Sequence, residues 1–263
     1  MNFAFSTLGV PGMEVRDVVR TAAETGCRGV ELRAHPEEPV HPGLLPQERR
    51  SVVREFAAAG VEVLAVAGYA RVAAEGDDEA VYEELYRLVH LAADLGAPFV
   101  RVFPGGGGRP QDDADATAAR RLGAAAEVAA DAGVRVLLEN HDSHPSGADT
   151  ARVVAAVGHP HVGAVWDVLH SWRAGEAPAR THGLLAPYLG YVQVKDCADR
   201  DDPTPLPLGA GTLPLGACVA AAGPDGWFCW EYEKRWFPGV PALPGLLAAG
   251  RAHVEGLLAG GSR

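Results

Sequence analysis

Four polar side chains stand at the ends of four short apolar runs: Glu139, Asp167, Gln193 and Glu231. The first run, Val134 to His141, reads Val-Arg-Val-Leu-Leu-Glu-Asn-His. Val162 to Asp167 reads Val-Gly-Ala-Val-Trp-Asp, with His170 just beyond it. Tyr191 to Asp196 reads Tyr-Val-Gln-Val-Lys-Asp, and Trp227 to Glu233 reads Trp-Phe-Cys-Trp-Glu-Tyr-Glu. Runs of this kind read as buried parallel strands, whose C-terminal mouths carry the polar residue. Side chains alternate across a strand, so Glu139 shares a face with Leu137, and Gln193 with Lys195. Where those faces converge, three carboxylates and an amide oxygen meet. Packed carboxylates repel and raise one another's pKa values, and a divalent cation removes that cost. Oxygen-only ligation favours Mn²⁺ or Mg²⁺; Co²⁺ and Zn²⁺ stay open, although zinc prefers His and Cys. Taken singly, each residue also reads as a strand-end polar group bonded to loop backbone.

The elements that must position these residues alternate along the whole chain. Strands are expected at Phe3 to Leu8, Gly29 to Arg33, Val61 to Ala67 and Phe99 to Phe103, followed by the four runs above. Helices are expected at Val15 to Thr25, Pro46 to Ala59, Asp78 to Leu95 and Asp113 to Ala132. Further helices follow at Asp149 to Val157, Glu176 to Leu185, Leu213 to Ala222 and Pro244 to Leu258. Most stop at a glycine, as left-handed helix ends require. Eight strand–helix units with no linker between them predict one (β/α)8 barrel domain over residues 1–263. An open doubly wound sheet is the alternative, but Leu8-Gly9-Val10-Pro11-Gly12 lacks its glycine fingerprint. A barrel places its site at the C-terminal strand ends, where the four oxygen ligands fall.

Formal net charge is −11. That sign counts against nucleic acid and anionic membranes as partners. No apolar run reaches membrane-spanning length. The four cysteines, Cys27, Cys197, Cys218 and Cys229, are widely spaced and read as reduced thiols. With no basic n-region and long apolar segment at the start, this predicts a cytoplasmic protein. The Ala-rich helix from Asp113 to Ala132 is the candidate contact for a homo-oligomer.

The order Glu139-Asn140-His141, then Asp167-x-x-His170, then Lys195-Asp196, then a Gly-rich segment and a terminal Glu231 resembles the xylose isomerase-like barrels, the sugar phosphate isomerases/epimerases. Leu208 to Leu213 is similar to that family's Gly-x-Gly loop after strand seven, and the likeness spans essentially the whole chain. It implies that Glu139, Asp167, Gln193 and Glu231 hold the metal and that His170 contacts substrate. The departure is Gln193, where the family usually has His. Some dehydratases of this superfamily that act on 3-dehydroshikimate look similar at that position.

A metal bound to a carbonyl and a neighbouring hydroxyl stabilises an enediolate after loss of the α-proton. Glu139 and Glu231 are the candidate acid and base, and His170 the candidate donor to a substrate oxygen. Returning the proton to the adjacent carbon isomerises a sugar, and returning it on the other face epimerises it. Losing a β-hydroxyl instead dehydrates, so a lyase is the runner-up to the isomerase/epimerase. An abasic-site nuclease would need a histidine-rich zinc cluster and a basic surface, and a non-catalytic binding barrel is the remaining alternative. The expected substrate is a small carbohydrate or polyhydroxy acid. Arg33, Arg101, His141 and Lys195 are the candidate substrate contacts; two arginines at an acidic barrel's mouth suggest a carboxylate or phosphate. Glu31 shares a face with Arg33 and reads as its ion-pair partner. Lys234, Arg235 and Trp236 follow strand eight as candidate clamps, and Gly105 to Gly108 reads as an anion cradle or a mobile lid.

Overall fold

The computed structural model describes residues 1–260. Its eight strands are β1 (Asn2–Ser6), β2 (Gly29–Arg33), β3 (Glu62–Arg71), β4 (Phe99–Phe103), β5 (Arg135–Glu139), β6 (Val162–Asp167), β7 (Leu189–Val194) and β8 (Trp227–Trp230). Each pairs in parallel with the next, and β1 pairs with β8 from Asn2↔Trp227 to Phe5↔Trp230, closing the barrel. The helices are α1 (Val15–Thr25), α2 (Pro46–Ala59), α3 (Asp78–Leu95), α4 (Gln111–Asp131), α5 (Gly147–Val157), α6 (Val168–Arg173), α7 (Pro178–Leu185), α8 (Leu215–Ala222) and α9 (Leu247–Gly260).

The apolar material forms two cores. The larger lies between the strands and the helices, with Phe3, Phe56, Leu88, Leu122, Trp166 and Trp230 among its buried members. The smaller fills the barrel itself with Ala4, Leu64, Ala65, Leu137, Val165, Tyr191 and Cys229. This inner layer decides where the chemistry goes. Two residues beyond Leu137, Val165, Tyr191 and Cys229 stand Glu139, Asp167, Gln193 and Glu231. A period of two returns each side chain to the same face. The same four strands therefore lay down an apolar floor and then a polar layer upon it.

Two differences from the expected elements matter for the site. Strand β3 runs on to Arg71 instead of stopping at Ala67, with a register shift against β4 between Ala67 and Arg71. A short helix, α6, follows β6 at once, and it is too short to show a periodicity in sequence. The alanines Ala114, Ala118, Ala125, Ala126 and Ala129 of α4 are buried within the chain itself. No helix among the described residues is long and apolar enough to cross a membrane.

Candidate metal centre and substrate cavity

The polar layer is built by neighbouring strands that hold one another's ends. Asn140 links β5 to β6: its Oδ1 accepts from the Asp167 backbone N–H at 2.7 Å, and its Nδ2 donates to the Asp167 carbonyl at 2.9 Å. Asp167 in turn caps α6. Its Oδ1 accepts from the backbone N–H groups of Leu169 at 2.7 Å and His170 at 3.2 Å, which leaves Oδ2 for the barrel interior. Gln193 donates through Nε2 to Glu31 Oε2 at 3.1 Å and to Glu231 Oε1 at 3.2 Å. Carboxylate oxygens accept, so this pairing orients the amide and leaves Gln193 Oε1 without a hydrogen bond.

Carboxylate oxygens of Glu139, Asp167 and Glu231 lie within 4.8 Å of one another, and all three residues are buried. Glu139 also groups with His141 and His170 at the same spacing. Glu139 Oε2, Asp167 Oδ2 and Gln193 Oε1 are buried and lack an aligned hydrogen bond. The first two face the Arg101 and Lys195 cations, so of the three it is Gln193 Oε1 that has no partner, which is costly unless a ligand satisfies it. Three carboxylates and an amide oxygen are a donor set for a hard divalent cation. The residues therefore fit the metal that the resemblance implies.

Two cations share the layer. Arg101 on β4 places Nε 3.0 Å from Glu139 Oε2 and Nη2 3.3 Å from Glu231 Oε1. Lys195 Nζ lies 2.7 Å from Asp167 Oδ2, 2.5 Å from Glu231 Oε2 and 2.7 Å from Glu233 Oε1. With Glu31, five carboxylates face these two cations, so negative charge is in excess when all are ionised. The protonation of the layer follows its neighbours. Burial raises Glu139 well above the usual carboxylate range, and Arg101 only partly opposes that. Burial acts the same way on Asp167, but Lys195 and His170 outweigh it and bring the carboxyl to about 2. Lys195 and Arg101 likewise outweigh burial at Glu231 and lower it. Burial brings His170 down to about 3 in spite of Asp167, so its ring is neutral around pH 7.

Above the layer is a cavity of about 200 Å³ lined by Tyr69, Arg71, Arg101, Phe103, Glu139, His141, Lys195, Glu231, Glu233 and Trp236, among others. It is smaller than the roughly 300–1,000 Å³ pockets that take drug-sized ligands. A wider hollow of about 500 Å³ between Glu14, Pro39 and Glu55 lies among the outer helices and contains none of the converging groups.

Of the expected substrate contacts, Arg101, His141 and Lys195 line this cavity, and Arg33 does not. Arg33 is buried, with Nη1 2.6 Å from Glu38 Oε1 and Nε 2.6 Å from the Tyr69 hydroxyl. The expected Arg33–Glu31 pair is absent: Glu31 instead accepts from Tyr191 and Gln193. Lys234 donates to the carbonyls of Pro238 and Val240, and Arg235 pairs with Glu37, so neither clamps the cavity; Trp236 stands at its wall.

The glycine segments serve the site from behind. Asp196 Oδ2 accepts from Gly209 N–H at 2.8 Å and Gly211 N–H at 2.9 Å. A Cβ on Gly211 would fall 2.1 Å from the Cys197 carbonyl oxygen, so only glycine permits that approach. Gly105 N–H donates to Asp142 Oδ1 at 3.0 Å and Gly106 N–H to Ser143 Oγ at 2.8 Å. Those amides cradle the chain's own side chains. Glu233, Tyr69, Phe103 and Arg71 also line the cavity, and Glu31 joins the polar layer through Gln193; the sequence expectations name none of the five as part of the site. Alternation along β2 could have revealed Glu31, and alternation beyond Glu231 points Glu233 the same way.

The family model for xylose isomerase-like TIM barrels matches residues 19–255. The chain belongs to that family. Among solved structures, the fold is similar to the probable 3-DHS dehydratase AsbF involved in petrobactin synthesis from Bacillus anthracis, with a TM-score of 0.80 at 21% identity, covering 95% of this chain and 97% of that one. It is also similar to the IolI protein with a bound zinc atom, with a TM-score of 0.83 at 14% identity, covering 98% of each chain. A third is D-psicose 3-epimerase with D-tagatose from Clostridium cellulolyticum H10, with a TM-score of 0.83 at 14% identity, covering 98% and 99%. At these identities the likeness establishes the fold. No curated protein matches the sequence closely enough to add to this.

Proposed function

We propose that this xylose isomerase-like barrel is a divalent-metal-dependent enzyme that moves the proton α to a carbonyl in a small polyhydroxy substrate, acting as a sugar or keto-sugar isomerase or epimerase. The observation that carries this reading is the convergence of Glu139, Asp167 and Glu231 within 4.8 Å, beside the unpaired Gln193 Oε1, at the floor of a small cavity. Glu139, Asp167, Gln193 and Glu231 would hold the cation, with Mn²⁺ or Mg²⁺ the best match to oxygen donors. The cation would supply Lewis-acid polarisation of a substrate carbonyl.

The protein's own groups divide the remaining work. Glu139 and Glu231 bring carboxylate oxygens within 4.8 Å of each other and both line the cavity, where they are the acid/base pair of this reading. Lys195 and Arg101 hold Glu231 ionised and in place. His170, neutral and beside Asp167, can donate to a substrate oxygen from its ring. His141 and Lys195 line the cavity, where they can bind substrate hydroxyls. Phe103, Tyr69 and Trp236 give the walls an apolar surface that limits water around the reacting carbon.

A dehydratase acting on a 3-dehydroshikimate-like acid is the second reading. Gln193 favours it, because some dehydratases of the superfamily resemble this chain there, and one structural neighbour is a probable 3-DHS dehydratase. Both reactions start with the same proton abstraction. Incubation with Mn²⁺ in D₂O, followed by proton NMR, separates them. Loss of an α-proton signal from a ketose with appearance of an epimer or aldose supports the first reading. Conversion of 3-dehydroshikimate to an aromatic product supports the second. Absence of both, with a ketose panel and 3-dehydroshikimate, would defeat the proposal.

A further inference from the structure

We propose that Arg71 recognises an oxyanion, a carboxylate or phosphate, on the substrate, which makes the natural substrate an acid or a sugar phosphate and not a neutral sugar. This rests on the reading of the cavity as the site of α-proton transfer.

Three cations line that cavity: Arg71, Arg101 and Lys195. Two are already committed. Arg101 spans Glu139 and Glu231, and Lys195 reaches Asp167, Glu231 and Glu233. Arg33 nearby is held by Glu38 and Tyr69. The Arg71 guanidinium makes no hydrogen bond and no ion pair among the described residues. Glu84 on α3 feels its charge without pairing with it. Arg71 is exposed at the cavity wall, so its guanidinium meets solvent and is open to a ligand.

The fold also holds Arg71 in position. Strand β3 carries it past the level at which the other strands end their apolar runs, and it stands opposite Phe103 of β4. The Pro104–Gly108 turn covers its aliphatic stem. A Cβ on Gly105 would lie 2.5 Å from Arg71 Cβ, 2.6 Å from Cγ and 2.8 Å from Cδ. Gly105 also has a φ of 65°, in the left-handed region that favours glycine. Asp142 and Ser143 pin the amides of Gly105 and Gly106, so the turn is a wall against that stem. The stem is packed against the turn, and the guanidinium is exposed and unpaired at the cavity wall. A planar guanidinium with unused donors matches the paired oxygens of a carboxylate or phosphate.

Calorimetric titration of the Mn²⁺-supplemented protein with fructose, fructose 6-phosphate and 3-dehydroshikimate tests this. One of the two oxyanion ligands should bind at least about tenfold more tightly than fructose, as a charge-assisted pair implies. Which one does so identifies phosphate or carboxylate as the source. Arg71→Met should lose that preference while fructose affinity stays the same, and Arg71→Lys should keep part of it. An unchanged thermal transition in both variants confirms that the fold is intact. Equal affinities for the three ligands in the natural protein, or an intact preference in Arg71→Met, would overturn the inference. Exchange of fructose α-protons in that case would leave the proposed function standing. No binding of any ligand and no exchange would overturn both.

Discussion

Lys195 Nζ lies 2.7 Å from Asp167 Oδ2, inside the set of oxygens that would hold a metal. The same ammonium reaches Glu231 and Glu233, so it neutralises the carboxylates when no dication is present. Removing one partner of a buried ion pair costs about 3–5 kcal/mol. Lys195→Met should therefore lower the melting temperature of the metal-free protein. Added Mn²⁺ should raise the variant's Tm more than it raises the natural protein's. Thermal denaturation with and without Mn²⁺ measures both; equal shifts would mean that Lys195 and the cation do not share these carboxylates.

The Asn140 side chain joins β5 to β6 through two bonds to the Asp167 backbone and a third to the Pro145 carbonyl. Asn140→Ala should cost about 2 kcal/mol or more, because buried backbone groups lose their partners. Natural protein and variant should each melt in one cooperative transition if residues 1–263 form a single domain. A variant as stable as the natural protein would show that Asn140 does not hold the strand ends together.

The four cysteines are buried and free. Burial, with Asp196 and Asp199 nearby, raises Cys197 to about 11, and burial raises Cys218 to about 12. Burial also raises Cys27 and Cys229. A raised thiol pKa leaves the unreactive protonated form dominant up to that pH. Alkylation by iodoacetamide at pH 8 should be negligible in the folded protein and complete at four sites in denaturant. Rapid labelling of the folded protein at pH 8 would contradict this.

Gln193 supplies the neutral oxygen of the proposed set. Gln193→Leu should weaken Mn²⁺ binding in calorimetry while leaving the circular dichroism unchanged. Gln193→His should keep the site and move its preference toward zinc or cobalt, because imidazole is a softer ligand. Glu139→Gln should lose turnover more than metal affinity, since it removes one member of the acid/base pair and keeps an oxygen donor. Undiminished Mn²⁺ affinity in Gln193→Leu would remove residue 193 from the set.

The barrel and its polar layer were legible because both follow a short period. Each of the last four strands is an apolar run whose next same-face residue is polar, so Glu139, Asp167, Gln193 and Glu231 announce themselves. What was not legible depends on partners distant in sequence or on local geometry. Arg33 reads as a site residue until Glu38, only five positions later, is seen folding back onto it. Arg71 was hidden because the expected strand three stops at Ala67, whereas the strand continues to Arg71; a Cβ on Gly68 would fall 2.3 Å from Leu88 Cδ1, so glycine there allows α3 to pack against the strand. The pairing of Glu31 with Tyr191 and Gln193 crosses the barrel between residues more than a hundred positions apart, which no local pattern records.

Crystals grown with MnCl₂ and measured at the manganese absorption edge test the central claim most directly. An anomalous difference peak is expected within coordination distance, about 2.0–2.6 Å as for hard cations on oxygen, of carboxylate oxygens from Glu139, Asp167 and Glu231 and of Gln193 Oε1. A peak elsewhere, or no peak at a Mn²⁺ concentration that supports any activity, would contradict the assignment of these four residues as the metal centre.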